Sequence, residues 1–325
     1  MVDLRTEFAG LKLKNPIIIS SSGLTSSADK NEKLEMAGAG AIVLKSLFEE
    51  QIMLKAQQTN ESAYYPEGGN FLTEHLNAQH LSEYLKLIQE SKKRCSIPII
   101  ASINCCTDKE WVEFAHKIEL AGADAIELNI LSIQASPYYE CGEFEKRHID
   151  ILRSVKSKVH IPVIVKLGIH LTNPVSLISK LRANGAEGIV LFNRLYQTDI
   201  DIKKLEFISG DVLSSASDLT SSLRWIGISS ATVCNIDYAA SGGVHSAEGA
   251  IKSILVGASA AEICSVIYKM GNQCIHPMLQ LIEKWMTEKG YESISQFKGL
   301  LKAKDVNCAN MYERTQFLRY FSERE

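Results

Sequence analysis

Four short apolar runs of this sequence each end in an asparagine or a lysine. The polar residues are Asn104, Asn129, Lys166 and Asn193, at the ends of PIIASIN, AIELN, PVIVK and GIVLFN. Parallel barrels carry their chemistry at the carboxyl ends of their strands, while branched apolar side chains fill the strand interiors. A single asparagine can simply cap a strand. Three asparagines and a lysine in one series favour a shared site that holds a small polar molecule.

The elements that must position these residues alternate between strand and helix. Eight apolar, β-rich segments can be read along the chain: 16–20, 41–45, 98–103, 125–128, 162–167, 188–192, 232–238 and 261–266. Amphipathic stretches of helical period separate most of them, including 109–121, 143–155, 174–183 and 247–255. We therefore predict a single-domain (β/α)8 TIM barrel over residues 1–325. An open doubly wound sheet is the alternative, but the chain lacks a dinucleotide fingerprint.

Three stretches at predicted strand ends are longer than simple connections. They cover residues 49–80, 132–142 and 194–222, and we expect them to form active-site loops or insertions above the barrel mouth. After the last strand, residues 277–289 are predicted to form a final helix. No second domain is expected.

The net charge and the composition of the chain indicate which kinds of binding partner to expect. The net charge is −3 and no basic stripe is present, so nucleic acid is not expected as a partner. The N-terminal segment contains an acidic residue and no long apolar run, and no later run is long enough for a membrane span, so we expect no membrane attachment and a cytoplasmic location. The eight cysteines contain no CxxC pair, so no metal site is expected.

Several of these motifs together resemble the dihydroorotate dehydrogenase family of flavin-dependent barrels. The shared elements are ELN at 127–129, VKL at 165–167, the strand end at Asn193, LKS at 44–46 and the tail GYESISQFKGLL at 290–301. LFNR at 191–194, ELNI at 127–130 and GVH at 243–245 resemble a divergent, dihydroorotate dehydrogenase-like branch of that family. The resemblance runs from Asp3 to about Lys302. It implies an enzyme that binds FMN.

The resemblance also assigns residues to the flavin ring. They are Ser22, Gly23, Lys45, Ser46, Asn104, Asn129 and Lys166. A fixed cation such as Lys166 stabilises the anionic reduced flavin and so favours hydride acceptance. The alternative for Lys166 is a structural ion pair at the barrel mouth.

A phosphate cradle is expected after the seventh and eighth strands, where such barrels usually bind phosphate. Ser241, Gly242 and Gly243 follow the seventh strand, and Cys264 and Ser265 follow the eighth. Ser214 joins this set as the residue near a turn that the family usually fills with glycine.

In the family, a Cys or Ser in the loop after ELN removes a substrate proton as hydride leaves. Ser132 falls on that position here, although Ile133 and Gln134 replace the Pro and Asn that usually follow. Cys141, at the far end of the same loop, is the rival base, because a thiol needs a smaller pKa adjustment. Lys45 is the third candidate catalytic residue.

Substrate contacts are expected from Asn129, Gln134, Asn193 and Arg194. Arg194 stands where the family usually has a small hydroxyl residue, and both it and Arg224 suit a carboxylate, so a small anionic substrate is expected.

The resemblance therefore predicts FMN-dependent oxidation of dihydroorotate to orotate, with a soluble acceptor such as fumarate. One alternative is an FMN dehydrogenase or reductase of another cyclic amide, similar to the dihydropyrimidine branch. Another is a flavin-binding barrel without catalysis. The family also implies a homodimer, and one soluble branch uses an iron–sulfur partner subunit, which nothing in this chain indicates.

Overall fold

Eight short parallel strands hydrogen-bond side by side into a closed barrel. This computed structural model describes residues 2–48, 69–104, 108–131, 133–195, 198–303 and Tyr312, with only the backbone at 48, 69–78 and 108–110. The barrel strands are β3 (Ile17–Ile19), β4 (Ala41–Val43), β6 (Ile99–Asn104), β7 (Ala125–Asn129), β8 (Val163–Gly168), β9 (Gly188–Asn193), β12 (Asp237–Ser241) and β13 (Ala260–Ile263). Pairing of β13 with β3 and of β4 with β6 closes the ring. The predicted (β/α)8 barrel is confirmed.

The remaining strands lie at the two ends of the barrel. They are β1 (Thr6–Phe8) and β2 (Leu11–Leu13), β5 (Leu47–Phe48), and β10 (Thr198–Asp201) with β11 (Glu206–Ser209). The β1–β2 hairpin closes the amino end, because the Ala9 amide donates to Asp237 at the start of β12. The β10–β11 hairpin follows β9 at the opposite end and pairs only with itself among the described strands.

Helices follow most barrel strands and pack around the outside. They are α1 (Ala28–Met36), α2 (Gly69–Arg94), α3 (Asp108–Leu120), α4 (Glu143–Lys156), α5 (Pro174–Ala183), α6 (Leu219–Thr232), α7 (Ala247–Leu255), α8 (Ser265–Met270) and α9 (Ile275–Lys289). Gly38, Gly122, Gly185 and Gly257 follow α1, α3, α5 and α7 with positive φ. Left-handed residues at these points end each helix and return the chain to the sheet. None of the described helices is both long and apolar enough to cross a membrane.

Strand side chains alternate between the interior of the barrel and the helices. Ile18 packs in the interior cluster, whereas Ile17 and Ile19 pack in the outer cluster against the helices. The interior cluster also contains Ala125 and Ile164, which start the inward-facing rows of β7 and β8. The two-residue period then places Glu127, Asn129 and Lys166 on the same inward rows, above an apolar layer.

Four segments differ from the sequence-based boundaries. The seventh strand is Asp237–Ser241 rather than 232–238, because Leu219–Thr232 forms α6 and buries Ile226 and Ser229. The range 49–80 includes the start of α2, and its residues 49–68 lie outside the described part of the chain. The range 194–222 contains the β10–β11 hairpin and the first turn of α6. The eighth strand ends at Ile263, and the α8 helix begins two residues later.

Candidate active site

A cavity of about 820 Å³ opens at the carboxyl end of the barrel. Its volume lies in the usual range for small-molecule sites. The floor consists of inward side chains from β7, β8 and β13, and the walls come from the loops after β3, β4, β9, β11 and β12. Apart from the loop after β11, these segments lie at or follow the carboxyl ends of barrel strands, so the barrel topology brings them together.

A buried ion cluster forms the floor. The Lys166 ammonium donates to Glu262 Oε2 over 2.5 Å and to Ser20 Oγ over 3.0 Å. Glu127 Oε1 lies 3.5 Å from the same nitrogen. The side chain of Lys166 is 6% exposed and those of the two glutamates are 1% exposed. Charges this deeply buried are costly unless they are paired, so the three groups depend on one another.

The pKa values of the cluster diverge for physical reasons. Burial raises the pKa of Glu127, and the adjacent charge of Glu262 raises it further, so Glu127 keeps its proton more readily than a free glutamate. Burial would also raise the pKa of Glu262, but Lys166 outweighs burial and lowers it. Burial opposes the charge of Lys166, yet the two carboxyls together raise its pKa. The surroundings therefore shift Glu127 toward its protonated form and shift Lys166 and Glu262 toward their charged forms.

Two asparagines stand above this cluster. Asn129 ends β7 beside Lys166 of β8, and Asn193 ends β9 on the other side of β8. Asn193 Nδ2 donates to Asn129 Oδ1 over 2.5 Å, while Asn193 Oδ1 accepts the Arg194 amide over 2.7 Å. These bonds orient the two amides, and since Asn129 uses its oxygen in the pair, its Nδ2 group is the remaining donor of a residue that lines the cavity.

A chain of hydroxyl groups runs along the β3–β4–β6 side. Ser21 Oγ lies 3.0 Å from Ser46 Oγ, which lies 2.7 Å from Ser102 Oγ. The hydroxyl of Tyr84 on α2 accepts the Ser102 amide and donates to the Ser102 carbonyl. This network fixes the loop after β4, and with it the position of Lys45 and Ser46 at the cavity wall.

The loops after β11, β12 and β13 form a polar pocket at the far side. Ser214 Oγ accepts the Gly243 amide at 3.3 Å and lies 3.0 Å from His245 Nε2. The Ser214 amide donates to Ser265 Oγ, and the Lys269 ammonium donates to the Ser214 carbonyl. Burial, followed by the charge of Lys269, lowers the pKa of His245. Donors and a cation around a glycine turn suit a phosphate group.

Gly243 is required for the shape of this pocket. Its φ is +78°, and a Cβ there would stand 2.3 Å from the Leu219 amide nitrogen. The loop can therefore pack against the start of α6 only with glycine at this position.

The rim of the cavity is apolar. Leu131, Leu195, Val212 and Leu213 line it near Arg194. Arg194 Nη1 donates to the Val212 carbonyl over 2.9 Å, and its Nε lies 3.7 Å from Asp218 Oδ2. The guanidinium is thus held at the mouth of the site.

Most residues that the sequence assigned to the cofactor line this one cavity. They are Ser22, Gly23, Lys45, Ser46, Asn129, Lys166, Ser214, Ser241, Gly242, Gly243, Cys264 and Ser265. Asn193 and Arg194, assigned to the substrate, line it as well. A shared binding site requires these residues to lie around one cavity, and in the structure they do.

Three assigned residues do not line the cavity. Asn104 is buried at the end of β6, opposite Phe48 of β5, and does not line the cavity. Gln134 and Cys141 are exposed in the segment after β7 and are not part of the cavity lining. Ser132 lies outside the described residues. The roles of Ser132 and Cys141 as bases stay predictions.

Sequence reasoning missed the two glutamates and Ser20. Glu127 belongs to the ELN motif, in which the sequence analysis assigns a role only to Asn129. Glu262 interrupts the otherwise apolar strand AAEI, and an acidic residue inside such a run was the available signal. Tyr268 was also missed; its hydroxyl occupies the space that a Cβ at Gly23 would need.

Comparisons with known proteins agree with this geometry. A model of the family "Dihydroorotate dehydrogenase" matches residues 3–286. The catalytic subunit of dihydroorotate dehydrogenase B (NAD(+)) from Thermoplasma volcanium is 28% identical over 313 residues, which cover 92% of this chain and 99% of that protein. The corresponding subunit from Methanocella arvoryzae is 31% identical over 267 residues, covering 80% and 85%.

A relative of a second type is similarly close. The putative dihydroorotate dehydrogenase A (fumarate) from Aeropyrum pernix is 26% identical over 311 residues, covering 91% of this chain and 97% of that protein. The family match spans most of the chain and includes every strand of the barrel. The chain therefore belongs to the dihydroorotate dehydrogenase family, whose members are flavin-dependent oxidoreductases that act on a CH–CH bond.

Proposed function

We propose that this protein oxidises (S)-dihydroorotate to orotate and uses FMN as its cofactor. The observation that carries the proposal is the buried Lys166 ammonium at the floor of the cavity, beside the paired amides of Asn129 and Asn193. A fixed cation and fixed amide donors are the groups that bind a flavin ring and a cyclic amide substrate.

The residues present fit FMN at both ends. Among the described residues, both carboxyl oxygens of Glu127 and Oε1 of Glu262 are buried without a hydrogen-bond partner. Buried polar atoms of this kind need a partner, and the N–H group of a bound flavin ring could supply one of them. At the other end, Ser214, Gly243, Ser265 and Lys269 form the pocket that suits the phosphate.

The residues have distinct roles in this proposal. Bound FMN supplies the chemistry of accepting a hydride from the substrate carbon. Lys166 places positive charge beside the cofactor and so favours its reduced, anionic form. Ser22, Gly23, Lys45 and Ser46 form the opposite wall, and the apolar rim excludes water.

The substrate needs a base and a carboxylate partner. Ser132 takes the proton in this proposal, since it follows Leu131, which lines the cavity. Cys141 is the alternative base. Arg194 holds the carboxylate, with Asn129, Asn193 and Gln134 as further substrate contacts.

For the electron acceptor we propose a small soluble molecule such as fumarate. A second candidate is NAD reached through an iron–sulfur partner subunit, and the relatives named as NAD(+)-linked catalytic subunits favour it. Fumarate oxidises the reduced protein directly in the first case. In the second case reoxidation requires the additional subunit.

We also propose a cytoplasmic homodimer that associates through the β10–β11 hairpin. Ile200, Ile202, Leu205 and Phe207 on this hairpin are between 55% and 85% exposed. A lone two-stranded hairpin with such a surface is marginal in water. Acidic residues occupy its strands (Asp199, Asp201 and Glu206), and Lys203 and Lys204 occupy its turn, so the hairpin carries charges of both signs that a second copy can pair with.

The dimer is tested by light scattering after chromatography. We expect a Leu205→Asp/Phe207→Asp variant to elute as a monomer, while Met36→Asp, at an exposed apolar position on α1, stays dimeric. A monomeric parent protein would refute the proposal.

The function is tested by anaerobic titration of the FMN-loaded protein with dihydroorotate, followed by flavin absorbance. We expect the oxidised flavin band to bleach and to return on addition of fumarate. Bleaching with dihydrouracil but not dihydroorotate would indicate the dihydropyrimidine-type activity. Bound FMN that no substrate bleaches would indicate a non-catalytic flavin-binding barrel. Bleaching that fumarate does not reverse would favour the NAD-linked route.

A further inference from the structure

Glu262 connects two distant parts of the barrel. It lies on β13, and Lys166 lies on β8, with β12 and β9 between them in the sheet. The 2.5 Å bond between Lys166 Nζ and Glu262 Oε2 therefore crosses the interior of the barrel instead of joining neighbouring strands. Both side chains also line the cavity.

Ser20 on the loop after β3 completes a triangle with this pair. Its hydroxyl accepts from Lys166 Nζ over 3.0 Å and donates to Glu262 Oε2 over 2.9 Å. Two of the three N–H groups of the ammonium are thus committed to fixed partners. The lysine side chain is consequently held in one position by groups from two other strands.

The charges of the cluster nearly cancel. Lys166 and Glu262 form the closest ion pair of the floor at 2.5 Å, which sets one negative charge directly against one positive charge. Glu127 is farther away, at 3.5 Å from Lys166, and burial followed by the Glu262 charge raises its pKa. In a buried site the effect of such a pair on a neighbouring charge is much smaller than that of a lone cation.

We propose that Glu262 is a positioning residue for Lys166 that also offsets its charge, so that a flavin bound in this cavity meets an ion pair instead of a lone ammonium. The inference rests on the proposed function, because it concerns bound FMN. It assigns Glu262 the task of limiting how strongly Lys166 favours the reduced flavin. The reduced cofactor then passes its electrons on more readily than it would beside an unpaired lysine.

The test is the reduction potential of bound FMN, measured by equilibration with a reference dye, in the parent and in Glu262→Gln. Removing the negative charge should strengthen binding of reduced over oxidised flavin by about tenfold or more, and a tenfold change equals about 30 mV for a two-electron couple. Glu288→Gln is the matched control, since it removes a negative charge by the same substitution at an exposed position on α9 that does not line the cavity. The potential of that variant should stay near the parent value.

A double-variant cycle covers the case in which Glu262→Gln folds poorly. Lys166→Gln leaves Glu262 unpaired and should lower the potential, whereas Lys166→Gln/Glu262→Gln should return it toward the parent value. Glu262→Asp keeps the charge on a shorter side chain and should shift the potential less than Glu262→Gln.

The outcomes separate this inference from the proposed function. A parent protein that binds no FMN would refute both. A parent that binds FMN, with an unchanged potential in Glu262→Gln and additive effects in the cycle, would refute only the role of Glu262 and leave the proposed function standing.

Discussion

Asn193 on β9 donates its side-chain amide to Asn129 on β7 over 2.5 Å, across the end of the strand that carries Lys166. The bond fixes which end of the Asn129 amide is free to donate. It couples three strand ends into one surface, so the site depends on the closure of the barrel as well as on individual residues.

Asn129→Asp tests this surface. The aspartate still accepts the Asn193 amide, but it replaces the free Nδ2 donor with an acceptor. Loss of one such hydrogen bond costs about 1–3 kcal/mol, so we expect kcat/KM for dihydroorotate to fall about 10-fold to 100-fold. Steady-state kinetics measure the effect. Unchanged kcat/KM in a folded variant would show that the Asn129 amide does not act as a donor.

Gly243→Ala tests the phosphate pocket. The left-handed backbone alone costs an L-residue about 1–2 kcal/mol, and the new Cβ would also collide with the Leu219 amide nitrogen. We expect a larger loss of unfolding free energy than in Gly242→Ala. Gly242 has a similar φ of +85°, but its Cβ would approach no atom closer than 3.9 Å. Denaturant unfolding compares the two variants, and equal losses would rule out the collision.

Ser132→Ala and Cys141→Ala distinguish the two candidate bases. General-base catalysis contributes about 10²–10⁴-fold, so we expect Ser132→Ala to lose that much kcat while still binding FMN. Cys141 is exposed and does not line the cavity, so we expect Cys141→Ala to retain turnover. Stopped-flow measurement of flavin reduction gives both rates. The reverse pattern would identify Cys141 as the base.

Arg194→Ala tests recognition of the substrate carboxylate. Hydrogen bonds to charged groups contribute about 1.5–3 kcal/mol, so the KM for dihydroorotate should rise about 10-fold to 100-fold. Arg224→Ala is the control, because Arg224 is exposed on α6 and does not line the cavity. If both variants raise KM equally, the effect comes from the change in net charge and not from a contact that Arg194 makes with the substrate.

Glu127→Gln tests the protonated carboxyl. The unfolded chain releases this proton as pH rises above the ordinary value of 4.5, while burial and Glu262 make the folded protein retain it. The folded state then binds more protons, so the unfolding free energy falls as pH rises through this window. Relative to Glu127→Gln, the unfolding free energy of the parent should fall by about 1.4 kcal/mol per pH unit from roughly pH 5 upward, until the pH reaches the raised pKa of Glu127.

The measurement is urea unfolding of both proteins at several pH values, with Glu288→Gln at an exposed position on α9 as the control. Parallel stability curves for the parent and Glu127→Gln would mean that Glu127 is ionised in the folded protein.

Much of the site could be predicted from local patterns. Asn129, Lys166 and Asn193 each follow an apolar run, and the carboxyl ends of parallel strands share one edge of a barrel. The same rule placed Ser241, Gly242 and Gly243 near the phosphate pocket, although the seventh strand begins five residues later than the sequence indicated. The β-branched residues Thr232 and Val233 favoured an earlier start of the strand. In the structure the chain up to Thr232 folds as α6, and the Tyr238 hydroxyl donates to the carbonyls of Ser229 and Val233 at the end of that helix.

The sequence by itself determined the alternation of strands and helices, and therefore the barrel and the edge at which its polar residues collect. Only the tertiary structure decided which of those residues touch. The pairing of Lys166 with Glu262 depends on barrel closure, since the two residues are 96 positions apart in the chain and on strands that are not neighbours. The two-residue period of a strand indicates which face of the sheet a side chain occupies. The charge state of a buried group depends on the groups that the closed barrel places beside it.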